Sequence, residues 1–162
     1  MPVRLDASGS PVTSVTVLGV RGIGEVVAGA DVASLVVDAL AHDGVPLGAG
    51  DCLVISSKVA SKSLGLTWSG SKEDAVVAGT VRVVAERWAE GRPTRVVESA
   101  AGPVMAAAGV DASNTGPSAT LLVLPDGPYA VAERLRSDAL AVLGLDAATP
   151  FAVVLSDTAG RA

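Results

Sequence analysis

Two short loops carry most of the oxygen-donor chemistry of this chain: Gly109-Val110-Asp111-Ala112-Ser113-Asn114 and Ser156-Asp157-Thr158-Ala159-Gly160-Arg161. Each follows an apolar segment and sets a carboxylate beside hydroxyl or amide side chains on a glycine-hinged turn. Hard divalent cations take oxygen ligands, so such loops suit a metal ion that also carries phosphate oxygens. If Asp111 and Asp157 converge, the chain handles a nucleotide. Each loop also has a plainer reading. Asp, Ser and Asn favour turns because their side chains bond nearby backbone groups, and Asp157 with Thr158 could cap a following helix.

A third segment, Ser57-Lys58-Val59-Ala60-Ser61-Lys62, repeats a Ser-Lys pair at a spacing of four. In a helical turn Lys58 and Lys62 share a face and could clamp phosphates as point charges; as surface lysines they would simply be solvated. Gly19, Gly22 and Gly24 in Gly19-Val20-Arg21-Gly22-Ile23-Gly24 permit close backbone approach to a ligand, yet match neither a dinucleotide fingerprint nor a Walker A loop. His42 is the single histidine and reads as a surface residue; with no second histidine and no cysteine cluster, zinc chemistry and a Ser-His-Asp triad both lack their parts. Cys52 lies in the apolar run Cys52-Leu53-Val54-Ile55 and reads as a small buried hydrophobe.

Composition limits what these residues can serve. The 162 residues suit one domain, 1–162, large enough for a core without staples. Hydrophobic residues make up 49% of the chain and aromatic ones only 2%, so the core is built from Val, Leu and Ala. A net charge of −5 with 12 Lys and Arg gives no broad basic surface, which argues against nucleic-acid binding. No apolar run reaches the length of a signal peptide or a membrane span, so a cytoplasmic protein with no membrane partner is expected.

The elements that must position the loops alternate between strand and helix. Val12 to Gly19 reads as a strand, and Asp31 caps a helix whose Val32, Leu35, Val36, Ala39 and Leu40 share a face up to Gly44 and Pro46. Cys52 to Ser56 is a short buried strand. Glu73 to Glu90 reads as one helix opened by a Ser71 and Asp74 capping pair, with Val77, Val81, Val84 and Trp88 as its buried stripe. Arg95 to Glu98, Val104 to Ala107 and Thr120 to Leu124 are strand candidates. Asp126 is the expected cap of a helix with Pro128 in its first turn and Ala132, Leu135, Ala139 and Val142 buried, and Phe151 to Leu155 is the last strand. The fold class is α/β, a mixed sheet with flanking helices in a layered single domain whose functional loops lie at strand ends.

Taken in order, GVRGIGEV (19–26), SSKVASKSLG (56–65), EDAVVAGTVRVVAER (73–87), AAAGVDASN (106–114), LVLPDGP (122–128) and VVLSDTAGRA (153–162) resemble the coenzyme F-420:γ-glutamyl ligase family over essentially the whole chain. GVDASN followed by SDTxGR is the specific combination. The resemblance implies a GTP-dependent amide ligase. A carboxylate of the deazaflavin precursor takes the γ-phosphoryl group, the acyl phosphate is attacked by the amine of L-glutamate, and GDP and phosphate leave. It further implies magnesium or manganese bound by Asp111, Asp157 and Thr158, with a monovalent cation as a further candidate. Ser113 and Asn114 would hold the nucleotide or a metal water. Lys58, Ser61 and Lys62 match the phosphate and substrate loop, with Lys58 and Lys62 as catalytic cations, and the backbone of Val20, Gly22, Ile23 and Gly24 matches a nucleotide-contacting turn. The implied fold is the N-terminal part of the γ-glutamyl ligase, and the implied assembly an intertwined homodimer.

The chain departs from the family pattern in three places. Relatives continue past the Asp-Thr-x-Gly-Arg motif with a Trp-Arg pair and a further α/β portion, so the chain is expected to be an excised or natural N-terminal half, or one whose remainder is supplied by a separate chain. Ser99-Ala100-Ala101 stands where many relatives carry arginine or histidine, and Gly24 where they often have proline. Two functions from different classes therefore follow: the ligase, or its metal and nucleotide half, and a non-catalytic binding or assembly module that pairs with another subunit.

Overall fold

The computed structural model describes residues 15–89, 92–112 and 120–157. The elements in chain order are α1 (Val32–His42), β1 (Cys52–Ser56), α2 (Ser57–Ser63), β2 (Thr67–Trp68), α3 (Lys72–Ala78), β3 (Thr80–Ala89), β4 (Arg92–Ser99), β5 (Val104–Ala106), β6 (Leu121–Leu122), α4 (Pro128–Leu143) and β7 (Ala152–Ser156). The class is α/β, as expected, with the strands divided among three small sheets: β1 with β7, β2 with β6, and β3-β4-β5.

The β1–β7 pair is parallel, with Cys52 opposite Ala152 and Ser56 opposite Ser156. Alternation along β1 turns Leu53 and Ile55 inward onto α1 and α4, where Val32, Val36, Leu40, Ala139, Leu140 and Phe151 complete the main core. Parallel pairing sets the C-terminal ends of both strands side by side, so Ser57 and Asp157, the next residues of each segment, emerge together. Arg136 on α4 fixes the entry to β7 by donating to the carbonyls of Phe151, Ala147 and Thr149 at 2.8, 2.9 and 3.1 Å.

Helix α1 forms where its cap and apolar face demand. Asp31 accepts the backbone N–H of Ser34 at 3.0 Å and the Ser34 hydroxyl at 2.8 Å. These two bonds, the backbone one foremost, hold the Asp31 carboxyl below its ordinary value of 3.8. A depressed folded-state pKa adds stability that is present above the ordinary value and is lost as the pH falls through the depressed one. Asp31→Ala is therefore expected to cost about 1 kcal/mol at neutral pH. Its deficit against wild type should shrink in strong acid, as urea unfolding at a series of pH values would measure.

Several expected elements differ. The helix placed over Glu73–Glu90 ends at Ala78 with Gly79 as its C-cap, and Thr80–Ala89 is a strand paired antiparallel with β4. Val77, Val81 and Trp88 are 65%, 64% and 67% exposed, so that stripe is not core. The β-branched run Thr80-Val81-Arg82-Val83-Val84 found a cross-strand partner, tied by the Arg82–Glu98 and Arg95–Glu86 ion pairs at 2.6 and 3.0 Å. Long-range pairing of this kind overrides helical periodicity. Residues 15–19 form no strand, and 12–14 lie outside the described residues. The α4 N-cap is Gly127, in the left-handed conformation with φ 62°, rather than Asp126. Leu140 replaces the exposed Val142 in the α4 core contribution, and Cys52 is exposed because it sits on the outward side of β1. The Thr120–Leu124 strand shrinks to Leu121–Leu122. His42 is exposed, as its polar surroundings suggested.

Candidate functional site

The site is organised by α2, which leaves β1 without an intervening loop. Ser57, its first residue, is buried, and its hydroxyl donates to Asp157 Oδ1 at 2.9 Å. Lys58, the next residue, sets its ammonium 2.8 Å from Asp111 Oδ2, each side chain about a quarter exposed at 25% and 24%. Asp111 and Asp157, 46 positions apart in the chain, thus contact consecutive residues of one helical turn.

Asp111 is fixed from its backbone. Its N–H donates to the Leu122 carbonyl at 3.0 Å and its carbonyl accepts from the Leu122 N–H at 2.9 Å, an isolated antiparallel bridge. Three residues in succession before it, Ala107, Ala108 and Gly109, have φ of 50°, 51° and 72°. The left-handed region costs non-glycine residues free energy, and strain of this kind gathers at functional loops. Gly109 is the tightest point, since a Cβ there would collide with Leu124 and Met105.

The other end of α2 faces the glycine loop. Lys62 pairs with Glu25, the residue after Gly24, at 2.5 Å. Gly22 has φ 82°, a conformation glycine adopts without cost, and the side chain of Ile23 packs against the main core. Val20 is at the surface with 36% exposure. Ser61 is 2% exposed, and its hydroxyl donates to the Val123 carbonyl at 2.7 Å, tying α2 to the chain beyond β6. Its hydroxyl is thus engaged inside the fold. Ser113, Asn114 and Thr158 lie outside the described residues.

Two residues that sequence reasoning gave no role become visible here. Ser57 anchors Asp157, and Glu25 anchors Lys62. The position of Ser57 directly after an apolar strand was available as a signal; its partner was not, because the β1–β7 pairing joins segments 100 residues apart.

The side-chain oxygens of Asp111 and Asp157 are of the chemical kind that hard cations such as magnesium take, commonly through one or two carboxylates together with waters and substrate phosphates. Among the described residues no three His, Cys, Asp or Glu side chains gather into a protein-only cage.

A family profile described as F420-0:Gamma-glutamyl ligase matches residues 22–162, which includes α2, both carboxylate loops and Gly22-Ile23-Gly24 of the glycine turn. The chain belongs to this family. It is 32% identical to coenzyme F420:L-glutamate ligase of Natronomonas pharaonis over 165 aligned residues, covering 89% of this chain and 59% of that relative. Against the protein of the same name from Halobacterium salinarum the identity is 31%, with 88% and 59% covered. For that of Methanothermobacter thermautotrophicus it is 29%, with 91% and 63% covered. The chain therefore spans less than two thirds of the length of these relatives. Among the described residues no helix is long and apolar enough to cross a membrane.

Proposed function

We propose that this chain forms the metal and nucleotide portion of a ligase that joins L-glutamate to the deazaflavin precursor of coenzyme F-420, at the expense of GTP and through an acyl phosphate. The observation that carries this reading is the approach of Asp111 and Asp157 to the consecutive residues Lys58 and Ser57. Family membership supports the choice of reaction.

Asp111 and Asp157, with Thr158, would hold magnesium or manganese. The ion supplies charge shielding for the phosphates when bound. Lys58, beside Asp111, and Lys62, paired with Glu25 one turn on along α2, would supply ammonium groups to the β- and γ-phosphates. Ser57 keeps the Asp157 carboxylate in a fixed direction, and Glu25 tethers the glycine turn to Lys62, where backbone N–H groups of Gly22 to Gly24 can meet the nucleotide. Ser113 and Asn114 would help hold the nucleotide or a metal water. Acyl-phosphate chemistry depends chiefly on alignment and charge stabilisation, which these groups can supply without a covalent protein intermediate.

Adding GDP with Mn²⁺ is expected to raise the melting temperature, because a ligand that binds only the folded state stabilises it. No rise with either component would overturn the reading.

A second feature favours association with another chain. Val54 and Val154 are 68% and 47% exposed on the outward face of the parallel pair, and Val81 and Trp88 are 64% and 67% exposed on β3. A two-stranded parallel sheet open on one face is uncommon, since parallel sheets are normally covered on both. A homodimer, or a complex with a chain carrying the remaining ligase portion, would cover these residues. Light scattering after size exclusion should give twice the monomer mass of 16.0 kDa for a homodimer, and a mass above 16.0 kDa only after mixing with the second chain for the complex. A monomer that still binds nucleotide would remove the assembly part alone.

A further inference from the structure

The contact between Lys58 and Asp111 has a consequence for the order in which ligands enter. Lys58 Nζ lies 2.8 Å from Asp111 Oδ2, and that oxygen is closed to solvent. A carboxylate that holds an ammonium this closely has its negative charge already engaged. A divalent cation bound to the same carboxylate through either oxygen would sit within a few ångströms of the ammonium and be repelled by it. The lysine has somewhere else to go. Its side chain is long, a quarter exposed and anchored in the first turn of α2, so it can swing to a neighbouring anion.

We infer that Lys58 is a placeholder cation. It occupies the Asp111 carboxylate until a polyphosphate draws it away, so that metal and nucleotide bind with positive cooperativity. This rests on the metal and nucleotide reading above and adds to it a coupling mechanism and a residue that carries it. Linkage makes the effect reciprocal: nucleotide tightens metal binding by the same factor by which metal tightens nucleotide binding. Ser57 provides no such exchange at Asp157, because a neutral hydroxyl donor does not compete electrostatically with the ion. The two carboxylates are therefore unequal, with Asp111 gated and Asp157 open.

The test is Mn²⁺ binding by the whole chain, followed through the electron paramagnetic resonance signal of free Mn²⁺ with and without GDP, after subtraction of the Mn²⁺ that the same GDP holds without protein. In wild type, GDP should tighten Mn²⁺ binding by about tenfold, within the usual range for coupled sites. Lys58→Gln should bind Mn²⁺ alone about tenfold more tightly than wild type, and GDP should enhance its Mn²⁺ binding less than in wild type by a similar factor, the part due to direct Mn²⁺–phosphate coordination remaining. Lys58→Arg, which keeps a cation at the carboxylate, should stay near wild type for Mn²⁺ alone and keeps the question open to measurement if the glutamine variant does not fold. Wild type that binds Mn²⁺ with GDP, alongside a folded Lys58→Gln whose Mn²⁺ affinity is unchanged or weaker, would overturn the exchange and leave the site reading intact. Tighter binding by Lys58→Arg than by wild type would overturn it as well. Wild type that binds no Mn²⁺ even with GDP would remove the site reading, and the exchange with it.

Discussion

Asp111→Asn is expected to abolish the stabilisation that GDP and Mn²⁺ give to the wild-type chain. At ligand near 100 times its dissociation constant that stabilisation is about 2.7 kcal/mol, and the variant should show close to none. The reason is charge and donor number. An amide offers one neutral oxygen where the carboxylate offers two that share a negative charge, and a hard divalent ion discriminates strongly between them. Without ligand the variant should remain folded, because the backbone bridge from Asp111 to Leu122 does not involve the side chain, but it should lose some stability, because the carboxylate facing the largely buried Lys58 ammonium is neutralised. Asp157→Asn should behave alike, and more informatively, since an amide oxygen can still accept the Ser57 hydroxyl that now reaches Asp157 Oδ1 at 2.9 Å. Loss of the ligand-induced shift with that hydrogen bond retained would isolate the charge. Differential scanning fluorimetry with and without GDP and Mn²⁺ reads both variants, and a full shift in either would sink the metal assignment for that residue.

The second large effect is expected at Gly109. Its φ of 72° lies in the left-handed region, and a Cβ would run into Leu124 and Met105. Gly109→Val adds a β-branched side chain where neither backbone nor space accepts one. About 1–2 kcal/mol for the backbone conformation and about 1–3 kcal/mol for overpacking give an expected loss of roughly 2–5 kcal/mol in urea unfolding. Relief of this conflict would shift Val110 and Asp111, so the GDP and Mn²⁺ response should weaken along with stability. Gly22→Ala is the contrasting control. Gly22 also has a positive φ, 82°, but no atom lies within 4 Å of an added Cβ, so only the smaller backbone cost applies. A Gly109→Val protein as stable as wild type would show that the loop before Asp111 readily adopts another path.

Local chemistry made parts of this protein legible from its residues. Asp31 and the apolar spacing after it define α1, Cys52–Ser56 is a strand because its run is short and apolar, and Ser71 with Asp74 opens α3 where the capping pair stands. These features depend on neighbours a few positions away. Thr80–Ala89 shows where that reach ends. Its valines fit a helical stripe as well as a strand, and only pairing with Arg92–Ser99 decides between them.

The site divides in the same way. Residue types and spacing alone raised Asp111, Asp157, Lys58 and Lys62 as candidates, although a plain turn, a helix cap and solvated lysines fit the same residues. That Lys58 faces Asp111, that Ser57 holds Asp157 and that Ser61 is spent on the Val123 carbonyl was settled by tertiary structure. The parallel register of β1 with β7 and the Asp111–Leu122 bridge bring those groups together. Contacts across such separations follow from how whole elements pack, and no periodicity within a single segment encodes them.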